Sequence, residues 1–554
     1  MNTNNLYTAL TIGPIHKTLQ SVKSTKAIWA ASYMFSYLIK EIIKEIKKDK
    51  SLELILPYSD EVEISREKKN PLTDKFQTGL FPDRIIVKGE IDLQVIIDHV
   101  ISDFAAKSKI SIAYLKNYIN LYNLRVGLDD NENIILRINE LLDSLELQQR
   151  IINNPNDNSL IDFFEKKNPY NFLIQDEFSE RPFPSTIEIS MAEYEDMYKD
   201  NDNYKNAIKK LKDGDDENQI EFIKDIKGLV GDCFRNYQKY IAVVQADGDN
   251  IGTFIKFLYE QENKNELIKR FSKNLLSFAI EAVALIKVYR GTPIYAGGDD
   301  LLFFAPVVQT LTDNKTVSIS KTILTLIKQL DDKFDEYFKN DPEFGKLMND
   351  KETIIKYEMS GEIFKQPSMS YGVSISYYKF PLNEALEEGV NQLFYKTKKT
   401  EKKNAVSYTI LKHSGQSFGT TFHKDETSYT TFNDLITQNF SGENFIHSIV
   451  YKLDPQNKVI QAIGEKNNPD RDLMFDNFFE NNFNENIHTH KVNGTKELIP
   501  FLDKTKKLFK AVYSENPLTG AGEGKKKQNE DNLMKIYSAL RFIEFIHNKE
   551  ERDE

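Results

Sequence analysis

Residues 292–306 read TPIYAGGDDLLFFAP, two glycines and two aspartates set between runs of strand-forming apolar residues. The pattern predicts a β-hairpin, TPIYA (292–296) against LLFFAP (301–306), with Gly297 to Asp300 at the turn. Two carboxylates about 4 Å apart repel by ~4 kcal/mol at an effective dielectric of about 20. Asp299 and Asp300 therefore call for a cation. Upstream, the β-branched strand KYIAVVQAD (239–247) runs into DGDN, which sets Asp247 and Asp249 at the end of a strand expected beside the hairpin. Hard oxygen donors in this number suit two Mg²⁺ or Mn²⁺ ions that bridge triphosphate oxygens. Gly297 and Gly298 at the turn, with Gly248 between the upstream aspartates, lack the Cβ that would keep a nucleotide away. Taken alone, Gly-Gly-Asp-Asp is an ordinary acidic turn; the flanking strands and the second acidic strand end favour the metal reading.

Around the hairpin, helical spacing at Leu267, Phe271, Leu275, Phe278, Ala282 and Leu285 predicts a helix over 266–289. Further elements are a helix over 317–338, a strand over 368–378, a helix over 382–399 and a strand over 405–412. The order βαββαβαβ indicates an α+β fold. An earlier unit has strands at 6–15, 52–58 and 84–89 and a helix at 25–47, with 91–150 read as mainly helical. The segments 153–158 and 195–217 read as loops or connectors. After HSGQS (413–417) strand character fades, so a helical C-terminal region is expected. At 554 residues the chain is long enough for two to four domains: 1–235, 236–415 and 416–554.

A formal charge of −11 argues against a free-standing nucleic-acid binder. The single cysteine, Cys233, excludes a disulfide framework and a cysteine zinc site, so no zinc is expected. With no apolar window near the roughly 20 residues a bilayer requires, the chain is expected to be cytoplasmic and not membrane-bound. GAGEGKKK (520–527) is one residue short of a phosphate loop and reads as a flexible loop. His488 and His490 lack a nearby third ligand and are not read as a metal site.

The motifs together resemble the large, Palm-containing subunit of type III CRISPR effector complexes, Cmr (III-B) branch. The resemblance rests on IGPIHKTLQSVKSTKAIWAASYMFSYL (12–38), LFPDRIIVKG (80–89), PFPSTIEIS (182–190), QADGDNIG, YAGGDDLLFF, SMSYGVSISYYKFPLNEAL and KKNAVSYTILKHSG. It implies two Palm-like, ferredoxin-type domains of the GGDEF kind with helical insertions and a helical C-terminal domain. Asp247, Asp299 and Asp300 would be the catalytic, metal-holding residues, with Asp249 as a further ligand. Related cyclases carry Lys-x-x-Gly-Arg-Asn before the last strand, where this chain has KTEKKN (399–404). That likeness implies phosphate roles for Lys399 and Lys403, which share a face if the helix continues; a solvated charge run is the alternative. Lys402 replaces the glycine. No His-Asp dipeptide occurs, so the family's HD nuclease domain is not expected.

The resemblance implies an RNA-activated, metal-dependent nucleotidyltransferase that converts ATP to a cyclic oligoadenylate, or joins AMP to S-adenosylmethionine, and releases pyrophosphate. Other effector subunits, guide RNA and target RNA would be its partners. A catalytically silent scaffold of the same complex and a stand-alone diguanylate-type cyclase are the rival readings.

Overall fold

A computed structural model of the chain describes residues 5–74, 76–129, 132–148, 157–166, 183–212, 216–313, 316–400, 402–438, 449, 451, 453, 455–483, 495–519 and 522–547. His488, His490 and Pro182, as well as 153–156 of the expected connector, lie outside them.

Two sheets repeat one topology. The first contains β1 (Asn5–Gly13), β2 (Glu53–Leu56), β5 (Arg84–Lys88) and β6 (Asn120–Leu128) in the order β2-β5-β1-β6, all antiparallel. A small ribbon, β3 (Val62–Ile64) with β4 (Glu67–Lys69), lies between β2 and β5. The second sheet takes β7 (Tyr240–Asp249), β8 (Thr292–Gly297), β9 (Asp300–Pro306) and β12 (Ser368–Tyr377) in the order β12-β7-β9-β8. By position in each unit both read fourth, first, third, second, the ferredoxin-type arrangement expected from the sequence. The second sheet is extended by β13 (Ala405–Leu411), parallel to β12, and by β14 (Ser417–His423) at the edge.

The helix Thr25–Ile46 joins the two units. Ser24 caps it by accepting from Ala27 N at 3.2 Å. Trp29, fully buried, donates through Nε1 to the Gln77 carbonyl at 2.8 Å. The Gly79 carbonyl then accepts from Ala296 N of β8 at 2.9 Å, and Ser36 Oγ accepts from Phe81 N at 2.9 Å. One apolar core accordingly mixes Leu10, Ile12 and Ile85 of the first unit with Ile241, Val243 and Phe304 of the second. The opposite face of β7, with Ala242, Val244 and Ala246, packs into a core shared with the helix Lys264–Val288. This alternation is the period of two dictated by a strand buried on both sides.

Five expectations are corrected. The stretch 91–150 holds β6, whose polar residues pair against β1 and hide its strand character. Residues 308–322 form a hairpin, β10 (Val308–Asp313) with β11 (Thr316–Thr322), so the following helix starts only at Ile323. The charged segment 195–217 contains parts of the helices Asp202–Lys212 and Asp216–Val230; Phe222 and Ile226 bury one face while the charges point outward. Beyond residue 416 the first element is β14, because the edge of the second sheet offers β13 as a partner. Helices then dominate. Gly522–His547, where the 520–527 motif was read as a flexible loop, lays Phe542 on Tyr408 at 5.2 Å between ring centres. The buried Glu193 accepts from Thr310 N at 2.8 Å and Thr310 Oγ1 at 2.7 Å, fastening the helical segment after residue 183 to β10. Among the described residues no helix is long and apolar enough to cross a membrane.

Candidate active site

The four aspartates meet at one end of the second sheet. Pairing of β7 with β12 sets Asp247 opposite Ser370 and Asp249 opposite Ser368, while pairing of β7 with β9 ends at Ala246 and Leu301, one step short of Asp247 and Asp300. The β8–β9 turn closes with Gly297 opposite Asp300. Gly298 adopts φ +75°, a left-handed value that a side chain would strain. Asp299 folds back over β7: a Cβ at Gly248 would stand 2.4 Å from Asp299 Oδ2 and 2.8 Å from Asp299 Cβ. Gly248 is thus the space that Asp299 needs. A strand end and a hairpin separated by a long helix in sequence are packed into one acidic cluster.

Asp249 is the anchor. It is fully buried, and its Oδ2 accepts from Ser370 Oγ at 2.7 Å, Ser368 Oγ at 3.1 Å and Asn404 N at 2.9 Å. Its Oδ1 accepts no well-directed hydrogen bond. Facing that oxygen at 2.8 Å is the ammonium of Lys398, which also pairs with Asp247 and donates to the Gly248 carbonyl at 2.7 Å. Burial pulls the Lys398 ammonium down, but Asp247 and Asp249 outweigh it and hold it above its ordinary range.

The hairpin carboxyls are perturbed upward. Desolvation, then repulsion from Asp247, push Asp299 up to about 6, against the opposing charge of Lys398. Asp300 is raised well above the carboxylate range by desolvation, then by Asp299 and Asp247, with the Asp247 carboxyl within hydrogen-bonding reach. Asp300 opens onto a cleft, so water touches it although protein surrounds most of it. Crowded carboxylates with upward shifts mark a candidate cation site.

The donor set is entirely carboxylate oxygen, which fits Mg²⁺ or Mn²⁺ and not zinc. The buried Oδ1 of Asp249, held against a cation in the form of the Lys398 ammonium, supplies the physical test of that fit. Among the described residues no group of three or more His, Cys, Asp or Glu side chains closes on a single point by itself; the ammonium of Lys398 lies among them instead.

Lys398 was missed in the sequence, where Lys399 and Lys403 were expected to share a helical face. The helix does not continue. After Leu382–Val390 it widens into a π-helical turn, Asn391–Thr397, and Lys403 and Asn404 take left-handed φ of +49° and +47°. Lys399 lies over the Tyr395 ring at 4.7 Å, and the Lys403 carbonyl accepts from His423 Nδ1 at 2.9 Å. The left-handed pair turns the Asn404 amide toward Asp249. Lys402, where the related motif has glycine, is not itself left-handed. A charge run gives no indication of which lysine turns inward, but Ser368 and Ser370, two apart on β12, were a legible period-two signal.

The second palm domain of Cas10/Cmr2 matches residues 240–407, and the N-terminal domain of the CRISPR-associated protein Cmr2 matches residues 7–109. The CRISPR system Cmr subunit Cmr2 of Pyrococcus furiosus is 25% identical over 224 residues, 37% of this chain and 22% of that relative. A cryo-EM structure of the type III-B Cmr-beta complex bound to cognate target RNA contains a chain that superposes with a TM-score of 0.50 at 10% identity, covering 92% of this chain and 83% of that one. The structural likeness concerns the fold. The two matched domains fall on the two ferredoxin-type sheets, and the chain carries Cas10/Cmr2 domains in the arrangement of a Cmr (III-B) large subunit.

Proposed function

We propose that the chain is a metal-dependent nucleotidyltransferase of a type III effector complex, acting on ATP and releasing pyrophosphate. The carrying observation is the convergence of Asp247, Asp249, Asp299 and Asp300 at one sheet end, with a buried Asp249 oxygen set against the Lys398 ammonium. Asp247, Asp249, Asp299 and Asp300 would hold two divalent ions, which when bound neutralise triphosphate charge and acidify an acceptor hydroxyl. The chain's own part is positional. Asp249 is locked by Ser368, Ser370 and Asn404, the hairpin turn holds Asp299 and Asp300 in fixed orientation, and Lys398 offers a movable cation that can neutralise a phosphate oxygen once released from Asp247. The acceptor oxygen then attacks the α-phosphorus, the bond to the bridging oxygen breaks, and pyrophosphate leaves with the electron pair. The likeness to Cmr subunits supports activation by target RNA, with guide RNA and other effector subunits as partners. A cyclic oligoadenylate is the proposed product, with an AMP conjugate of S-adenosylmethionine as the other acceptor choice.

Mass spectrometry of products formed by the assembled complex from ATP and Mg²⁺ or Mn²⁺, with and without target RNA and S-adenosylmethionine, tests this reading. Pyrophosphate release that depends on RNA supports it. Its absence from an intact complex would leave a scaffold; activity with GTP in the isolated chain would point to a stand-alone cyclase.

A further inference from the structure

The cleft onto which Asp300 opens, about 260 Å³, lies between the two units. Its walls are mainly apolar, with Ile12, Phe35 and Phe81 from the first unit and Leu301, Leu393 and Phe394 from the second. Two carboxylates line it, Asp300 from the second unit and Asp83 from the first. Their placement follows the repeated topology: Asp83 immediately precedes β5, the third strand of the first unit, as Asp299 immediately precedes β9, the third strand of the second.

Asp83 is held but not neutralised. Its backbone carbonyl accepts from Ile12 N at 3.0 Å, which pins the segment to β1. The adjacent Arg84 turns away and pairs with Asp143 and, at 3.1 Å, with Glu146. Among the described residues no side chain donates a hydrogen bond or forms an ion pair with the Asp83 carboxylate. A carboxylate in a largely apolar cleft, with a donor only in its own backbone N–H, is costly for a structural residue and apt for one that meets a ligand. Burial, and then the more distant Glu146 and Asp143, raise its pKa despite Arg84, and its charge is felt at Asp300 and Tyr295.

We propose that Asp83 is a positioning residue supplied by the first unit, whose carboxylate accepts a hydrogen bond from a ribose hydroxyl of the nucleotide held in this cleft. The inference rests on the nucleotidyltransferase reading. A carboxylate can only accept, so the ligand group must be a donor. Asp83 enters beside Asp300, on the charged edge where phosphates would be held; the nucleotide group nearest its phosphates is the sugar. The apolar wall is left for the base.

The test measures binding of ATP, 2′-deoxy-ATP, 3′-deoxy-ATP and inosine triphosphate, with Mg²⁺, to the full chain as wild type, Asp83→Asn and Asp83→Ala. Mn²⁺ alone is titrated in parallel, and thermal melting verifies folding. The wild type should bind one deoxy analogue about tenfold more weakly than ATP, as expected for a hydrogen bond to a charged group. Asp83→Ala should lose about tenfold for ATP and no longer distinguish that analogue, with Mn²⁺ binding unchanged. Full discrimination retained in Asp83→Ala overturns the proposal. So does loss of Mn²⁺ binding, which would make Asp83 a metal ligand, and so does lost discrimination against inosine triphosphate in place of the sugar. If the wild type binds no ATP, the nucleotidyltransferase reading fails first and this one with it.

Discussion

The two ferredoxin-type units share a strand order but have opposite electrostatics at the corresponding sheet end. In the second unit β7 ends in Asp247-Gly248-Asp249 beside Asp299 and Asp300; in the first, β1 ends in Ile12-Gly13 beside Asp83 and Arg84. Arg84 is neutralised on the outer face by Asp143 and Glu146, so the first unit is left with a single uncompensated carboxylate. The same backbone frame thus supplies a charge-dense edge once and an apolar wall once. A cation centre requires several carboxylates brought together against their repulsion, and only the unit with Lys398 as countercharge carries them.

The largest effect expected from breaking this asymmetry is in Asp299→Ala/Asp300→Ala. Product formation should fall by about a thousandfold or more while complex assembly, followed by gel filtration, is retained. Next comes Gly248→Ala, whose methyl group would collide with Asp299. It should lower turnover by about a hundredfold through misplacement of that carboxylate. Gly13→Ala, near the same end of β1, meets nothing closer than Ile15 N at 4.0 Å and should stay within about twofold. Equal losses in the two variants would erase the distinction between the units.

Lys398→Met probes the countercharge. With the ammonium gone, the buried Asp249 and its neighbour Asp247 lose their partner, and the metal-free chain should lose about 2 kcal/mol in denaturant unfolding. Mn²⁺ should restore more stability in this variant than in wild type. An unchanged midpoint without metal would show that the ion pair does not hold the site together.

The smallest expected effect is on pH. Because the folded-state pKa of Asp299, about 6, lies above its ordinary 3.8, ionisation of this group costs stability. The cost is absent at low pH and complete above about 6. Metal binding requires the ionised form, so apparent Mn²⁺ affinity should rise with pH through that value, by up to about tenfold per pH unit for this group. Affinity independent of pH across this range would mean that Asp299 does not contact the ion.

Much of the second unit was legible in the residues. The hairpin, the acidic strand end and the long helix announced themselves through apolar runs, turn residues and helical spacing, signals that arise within short windows. β6, β10–β11 and β14 did not, because their residues become strand by pairing with segments already in place, and pairing partners are not encoded in a window.

By itself, then, the chain determined which side chains make up the candidate site, Asp247, Asp249, Asp299 and Asp300, and the strand ends and turn that carry them. Tertiary structure alone decided which cation answers them and what faces them: Lys398 and not Lys399 or Lys403, and Asp83 from the other unit. The reason is physical. Strand and turn formation depend on neighbours in sequence, whereas charge compensation and cleft lining depend on distance in space, which is settled only when two sheets pack around one helix.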